Sequence, residues 1–345
     1  MVMKLSFGEK NGDVEKAIDH LLAVTGDIPR PHIVRDMIVA ALKAGREDDG
    51  KIDLKMMNTT LKEMRYTAKI FSSYRKLKKV TVFGSARTHA DRRIYTMAHD
   101  FGKKLSERGY MVITGGGPGI MRAVNEGAGP EQSFGVSIRL PFEQQSNAIL
   151  DGDPKNIMYK YFFNRKVAFL KESDAIVLFP GGFGTLDEGM ETLTLLQTGK
   201  RNPMPLLFVD EPGGRYWWHF FEFCKQELSA AGYVSPSDFN LFEITDDIDA
   251  AVEKIARFYD RYHSIRYIRG KVLLRLNSAL EKSEINALKV EFSDILTKDG
   301  DIYLSEALPE ENEEPEISHL PRLVVDFNLK DFGRLKALID AINQP

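Results

Sequence analysis

The chain has 345 residues, a formal net charge of −3 and one cysteine, Cys224. That length admits one large α/β domain with extensions, or two domains, and the near-neutral charge offers no bulk electrostatic case for a nucleic-acid partner. A lone cysteine excludes an intrachain disulfide and suits a reducing compartment. The opening MVMKLSFGEKNGDVEK has no apolar h-region, and no apolar run approaches the roughly 18 residues of a membrane helix. A cytoplasmic chain with no membrane partner is therefore expected.

Residues 13–77 carry apolar side chains at three- and four-residue spacing in DVEKAIDHLLAVTG, PRPHIVRDMIVAALKAG and LKMMNTTLKEMRYTAKIFSSYRK. This predicts a helical extension over 1–77, with a polar break at GREDDGK (45–51). From Lys78 the rhythm changes to strand, glycine, helix. KKVTVFGS (78–85) reads as a strand, YTMAHDFGKKLSERG (95–109) as a helix, and YMVITGGG (110–117) as a second strand before a helix opening at Pro118. FGVSIRL (134–140) is a strand, NIMYKYFFNRKVAFLKES (156–173) reads as one long helix, and AIVLFPGG (175–182) leads into another helix. PLLFVD (205–210), the aromatic helix RYWWHFFEFCKQELSAAG (215–232), LFEIT (241–245) and DDIDAAVEKIARFYDRY (246–262) complete the series. Apolar strands alternating with helices predict a doubly wound, Rossmann-like parallel sheet over 78–262.

Over 263–345 the pattern is strand, helix, strand, strand, helix (KVLLRLN, SEINALKVEFSDIL, DIYLSEAL, RLVVDFN, KDFGRLKALIDAI), a small α+β appendage. Its acidic stretch PEENEEPE (309–316) reads as a solvated loop. There is no internal repeat.

Three strand-to-helix corners are rich in glycine: FGSAR (83–87), TGGGPGIM (114–121) and PGGFGT (180–185). In a parallel sheet, ligands bind at the carboxyl ends of strands, and clustered glycines at a helix start let N–H groups converge on an anion. The dinucleotide fingerprint fails because its third glycine position is Ile120, and no Gly-Lys-Ser/Thr follows any corner. A mononucleotide or a sugar phosphate remains. Just inside the last helix, Thr185 and Glu188 stand in T-x-x-E spacing, which can close a capping box. The alternative gives Glu188 work beside a bound anion, with Arg165 and Lys166 of FFNRK (162–166) as cations bordering the same crevice. The histidines lack metal-ligand spacing and Ser85 lies in no G-x-S-x-G elbow, so no metal, no cofactor and no serine hydrolase are expected. The run YWWHFFEF (216–223) reads as a core or dimer-facing helix surface.

At these residues the sequence resembles the LONELY GUY (LOG) family, long labelled possible lysine decarboxylases, in its longer-chain bacterial branch. The family signature P-G-G-x-G-T-x-x-E is matched by Pro180, Gly181, Gly182, Gly184, Thr185 and Glu188, and its upstream R-K element by Arg165 and Lys166. VFGSAR, GGGPGIM and LPFEQQSN (140–147) also resemble family segments. The resemblance spans 78 to about 262 and leaves both extensions uncovered. It implies a phosphoribohydrolase that converts a nucleoside 5′-monophosphate and water into free base and ribose 5-phosphate, the base being a purine such as that of AMP or a cytokinin. It implies Glu188 at the sugar, and Arg165 either at the departing base or clamping the substrate. Gly181, Gly182, Gly184, Thr185 and Lys166 would serve the phosphate, and Ser85, Arg87, Gly116, Gly117 and Met121 the base and ribose side. A homodimer or larger homo-oligomer is expected. A non-catalytic nucleotide sensor or carrier on the same fold stays open, as does an assembly protein docking through its terminal helices.

Overall fold

Strands without a polar face, such as KVTVF and AIVL, are stable only where helices cover both sides of their sheet. The computed structural model, which describes residues 12–47, 50–140, 146–311 and 313–344, has that arrangement. The chain divides into two compact units, Met1–Tyr66 and Thr67–Pro345. The first holds α1 (Asp13–Thr25), α2 (Pro31–Glu47) and most of α3 (Lys51–Ser72), as the periodicity predicts.

The second unit continues with β1 (Lys79–Phe83), α4 (Arg93–Glu107), β2 (Met111–Thr114), α5 (Ile120–Ala128) and β3 (Ser133–Ile138). It then adds β4 (Asn156–Tyr159), α6 (Phe162–Glu172), β5 (Ala175–Leu178), α7 (Phe183–Gln197), β6 (Leu206–Val209), α8 (Tyr216–Phe223), β7 (Glu243–Thr245) and α9 (Ile248–Arg257). Among the described residues these strands form a seven-stranded parallel sheet in the order β4-β3-β2-β1-β5-β6-β7. The chain winds outward from β1 in one direction and resumes from β5 in the other, so the boundary between β1 and β5 is the topological switch point. Val80, Val82, Val112 and Val177 pack with Phe101, Leu105, Val124 and Ile255 on one face. On the other face Phe83 meets Phe169 edge-on at 4.7 Å, and Phe208 stacks on Trp217 at 4.6 Å. The protein is a doubly wound α/β fold with a helical extension and a small α+β appendage.

The long helix expected over 156–173 is in fact β4 followed by α6. Ile157 and Tyr159 are buried while Met158 and Lys160 are exposed, a period of two, and Ile157 pairs with Val136 of β3. The aromatic residues that follow continue an apolar run across the junction and hide the change of period. The aromatic run of α8 is divided: Trp217 is fully buried, whereas Trp218 and Phe223 are exposed.

The appendage comprises β8 (Tyr262–Ile268), β9 (Lys271–Leu276), α10 (Lys282–Glu291), β10 (Ile302–Ser305), β11 (Arg322–Val325) and α11 (Phe332–Ile342). Its strands form an antiparallel sheet in the order β10-β11-β9-β8. The leading strand β8 was not expected, because a helix was read through residue 262; a register shift between Tyr262 and Ser264 breaks the alternation that marks a strand. The expectation of a solvated acidic loop is also corrected. Arg275 and Arg322 stand directly opposite each other on β9 and β11, both buried, and the buried Glu311 carboxylate accepts from each, at 2.8 Å and 3.2 Å. Glu314 pairs with Arg275 and with Arg266. Two like charges facing each other across a ladder need such a counterion. Next to this sheet, α11 packs against the far end of α7, where the Phe332 ring lies on Gly199.

Candidate functional site

The three glycine corners follow β2, β1 and β5, which are neighbours in the sheet, and backbone bonds join them. Ser85 N–H donates to the Pro180 carbonyl at 3.1 Å, and Ile120 N–H donates to the Ser85 carbonyl at 3.0 Å. Gly119 adopts φ +66°, and a Cβ there would fall on the Ser85 carbonyl, so only glycine lets these corners approach. The corners frame a cavity of about 720 Å³, within the range of small-ligand sites. Ser85, Arg87, Gly116, Gly117, Met121, Arg165, Gly181, Gly182, Gly184, Thr185 and Glu188 all line it. Of the sequence-predicted residues only Lys166 does not. The core of the LPFEQQSN segment, residues 141–145, lies outside the described residues.

The start of α7 differs from the capping-box expectation. Its N-cap is Gly182, with Thr185 N–H and Leu186 N–H both donating to the Gly182 carbonyl, at 3.0 Å and 3.1 Å. Thr185 and Glu188 therefore lie inside the helix, and the Thr185 hydroxyl sits beside Gly181 instead. Among the described residues no backbone acceptor takes the N–H groups of Gly182, Phe183 or Gly184. These are the orphan donors of a helix start, with its partial positive charge. A Cβ at Gly182 or Gly184 would meet nothing within 4 Å, and neither residue has a positive φ. Neither packing nor backbone geometry requires glycine at these two positions; what a side chain would occupy there is the cavity.

Glu188 is only 4% exposed. Its carboxylate lies 3.3 Å from Lys166 Nζ and 3.7 Å from Arg165 Nη2. Burial raises its pKa; Lys166 and Arg165 oppose that shift, and the net displacement is upward. Lys166 stands behind the carboxylate, shared with Asp187 at 2.8 Å and Glu191 at 2.9 Å. Burial would lower the Lys166 ammonium, but its bonds to Asp187 and Glu191 outweigh this and raise it, so it stays charged. Arg165 lies over the Phe162 and Phe169 rings, at 4.9 Å and 5.5 Å, and its buried Nε has no hydrogen-bond partner. Arg165 lines the cavity, and a guanidinium placed there can take an acceptor from a ligand.

The sequence reading missed the residues that brace these corners. The Thr114 hydroxyl accepts from Gly116 N–H at 3.1 Å and donates to the Asn125 side chain at 2.7 Å. Asn147 donates through its backbone to the Gly116 carbonyl and through its side chain to Gly117 O and Asn125 Oδ1. The Tyr216 hydroxyl donates to the Gly181 carbonyl at 2.6 Å. Thr114 and Asn147 stand at the ends of TGGGPGIM and LPFEQQSN and Tyr216 in the aromatic run, but spacing along a chain does not reveal which side chain will reach a given carbonyl.

A glycine-built crevice at the switch point of a parallel sheet places the chain among the doubly wound ligand-binding α/β proteins. Residues 120–255 match the family described as "Possible lysine decarboxylase". The chain is 24% identical over 194 residues to cytokinin riboside 5′-monophosphate phosphoribohydrolase LOG1 of Arabidopsis thaliana, covering 55% of this chain and 88% of that protein. It is 25% identical over 195 residues to probable cytokinin riboside 5′-monophosphate phosphoribohydrolase LOGL2 of Oryza sativa subsp. japonica, covering 55% and 77%. Among solved structures it is similar to the molybdenum cofactor carrier protein of Chlamydomonas reinhardtii, at 21% identity and TM-score 0.36 over 52% of this chain and 98% of that one. The resemblance of the central domain to the LONELY GUY family is thus borne out in sequence beyond the motifs themselves.

Proposed function

We propose that the protein is a nucleoside 5′-monophosphate phosphoribohydrolase, releasing free base and ribose 5-phosphate from a purine nucleotide such as AMP or a cytokinin nucleotide. The observation that carries this reading is the pairing, on one helix and in one cavity, of an open glycine cradle with a buried carboxylate. The N–H groups at Gly182, Phe183 and Gly184 and the Thr185 hydroxyl hold the 5′-phosphate, so that remote binding energy fixes the sugar. Glu188 lies further along α7. As the C1′–N bond lengthens, the sugar gains oxocarbenium character, which the carboxylate stabilises. Water adds to C1′ and gives its proton to Glu188, and the base departs with the bonding pair. The base takes a proton from solvent and Glu188 returns its own to solvent, so the net proton comes from the water consumed. Arg165, lining the same cavity, relieves charge on the departing base or clamps the substrate. Lys166 holds Glu188 in place and keeps its charge balanced. The similarity to proteins named phosphoribohydrolases supports the same reaction class.

The active form is a homodimer. Phe162 of α6 and Phe183 of α7 are exposed and line the cavity, and Phe163 and Val167 of α6 and Met190 of α7 are exposed as well. Large apolar side chains left exposed on two helices joined by the Lys166 ion pairs are what an interface would cover.

Product analysis tests the reaction: the protein is incubated with AMP and the other monophosphates beside Glu188→Gln, and free base and ribose 5-phosphate are assayed. Because Gly182 and not Thr185 caps α7, the substitution removes a charge and no cap. Turnover in the parent chain that falls about 10²–10⁴-fold in the variant supports the hydrolase. AMP binding without turnover in either protein would support a sensor or carrier instead.

A further inference from the structure

Tyr216 lies outside the cavity wall, yet its hydroxyl donates to the Gly181 carbonyl at 2.6 Å. A trans peptide unit is planar, with its C=O and the following N–H on opposite sides, so holding the Gly181 carbonyl sets the direction of the Gly182 N–H. The preceding unit is held in the same way, since the Pro180 carbonyl accepts from Ser85 N–H at 3.1 Å and thereby orients the Gly181 N–H. Two adjacent glycines would otherwise leave this segment free to reorient.

We propose that Tyr216 is a positioning residue for the anion seat, locking the Gly181–Gly182 peptide so that its N–H points at the 5′-phosphate. The proposal deepens the phosphoribohydrolase reading and rests on it for the identity of the anion. Tyr216 is itself well held. It opens α8 directly after the β6 corner, where Asp210 accepts from Glu211 N–H at 2.9 Å and Trp217 N–H at 3.3 Å. The Tyr216 ring meets the Trp217 ring edge-on at 4.7 Å, and the buried Trp217 indole donates to the Val209 carbonyl at 3.2 Å. Partial burial raises the phenol pKa, so the hydroxyl remains a donor throughout the neutral range. Since β6 neighbours β5, the fold brings this fourth corner over the third without any loop insertion.

The test is Tyr216→Phe, which removes the hydroxyl and keeps the ring that packs on Trp217. Calorimetric titrations with AMP, ribose 5-phosphate and adenosine are compared between the parent and the variant, together with KM and kcat. AMP and ribose 5-phosphate, which carry the phosphate, are expected to bind about tenfold more weakly. Adenosine binding is expected to be unchanged, with KM raised and kcat held within about twofold. Equal weakening of all three ligands, or unchanged AMP binding, overturns the proposal. If the parent binds AMP but does not turn it over, the selective loss still supports Tyr216 while the hydrolase reading falls. A parent chain that binds neither phosphate-bearing ligand overturns both.

Discussion

Glu188 and Gly184 stand four positions apart on α7, and each yields a prediction of its own. In the proposed reaction the carboxylate acts ionised, and its pKa is displaced upward by burial, against the pull of Lys166 and Arg165. As pH falls through that raised value the carboxylate is protonated and the rate is lost. The acid limb of kcat/KM should therefore lie above the ordinary glutamate value of 4.5, and should vanish from the residual rate of Glu188→Gln. Gly184 lies in the first turn of α7 with open space where a Cβ would be. Gly184→Ala is expected to raise stability by up to about 1 kcal/mol, as glycine-to-alanine changes do in helices. The methyl group would at the same time crowd the cradle and raise KM. Opposite signs in a melting curve and a Michaelis plot separate a ligand-driven glycine from a packing one; a change that lowers stability and leaves KM alone would contradict this assignment. At this scale much was legible, since the predicted residues other than Lys166 all reach one cavity. What was not legible was the second partner of each: T-x-x-E spacing fits a capping box equally well, and only the position of Gly182 decides against it.

Between elements, the buried Arg275–Glu311–Arg322 cluster binds the 309–316 segment to the appendage sheet. Removing the shared carboxylate would leave the buried Arg322 guanidinium without its counterion and Arg275 with Glu314 alone. Glu311→Ala is expected to cost about 3–5 kcal/mol in chemical denaturation, whereas replacing all three residues by leucine should cost far less. A solvated loop would have lost only about 0.5 kcal/mol. For Glu311, burial alone would raise the pKa, but bonds from Leu308 N–H, Arg322 and Arg275 outweigh it and leave it lowered. Glu314 is held low chiefly by Arg275. With folded values below unfolded ones, the stability these groups bring is complete above about pH 4.5 and is lost as pH falls through the lowered values. The sequence displayed the acidic residues clearly but not the cations beneath them. Arginines on β9 and β11, 47 positions apart, become opposite only through the register of two strands. Strand β4 was missed for the converse reason, because local periodicity spoke for a helix and a neighbouring strand overruled it.

For the molecule as a whole, the exposed apolar side chains of α6 and α7 predict association. Phe183 is 91% exposed. Light scattering at micromolar concentration should return at least twice the 39.1 kDa chain mass, and Phe163→Asp with Val167→Asp should return the monomer. A monomeric parent chain would remove the dimer from the proposal. The parallel sheet and a crevice at the carboxyl ends of its strands were legible in the alternation of strands and helices. The strand order and its switch point were not, since they depend on pairings such as that of β4 with β3. The packing of α11 on the far end of α7 was not, since a contact between Phe332 and Gly199 has no local signature.

One feature of α7 reaches beyond its own residues. The N-cap at Gly182 and the carboxylate of Glu188 belong to the same rigid rod, six residues apart. At a rise of about 1.5 Å per residue they are separated by about 9 Å along its axis, whatever the surrounding loops do. If the proposed reaction holds, the helix is in effect a ruler with an anion at one mark and a scissile bond at the other. Loops can change which base is admitted, but they cannot change that length. A nucleoside 3′-monophosphate, which carries the same charge at a different distance from C1′, should be rejected in the same product assay that accepts its 5′ isomer.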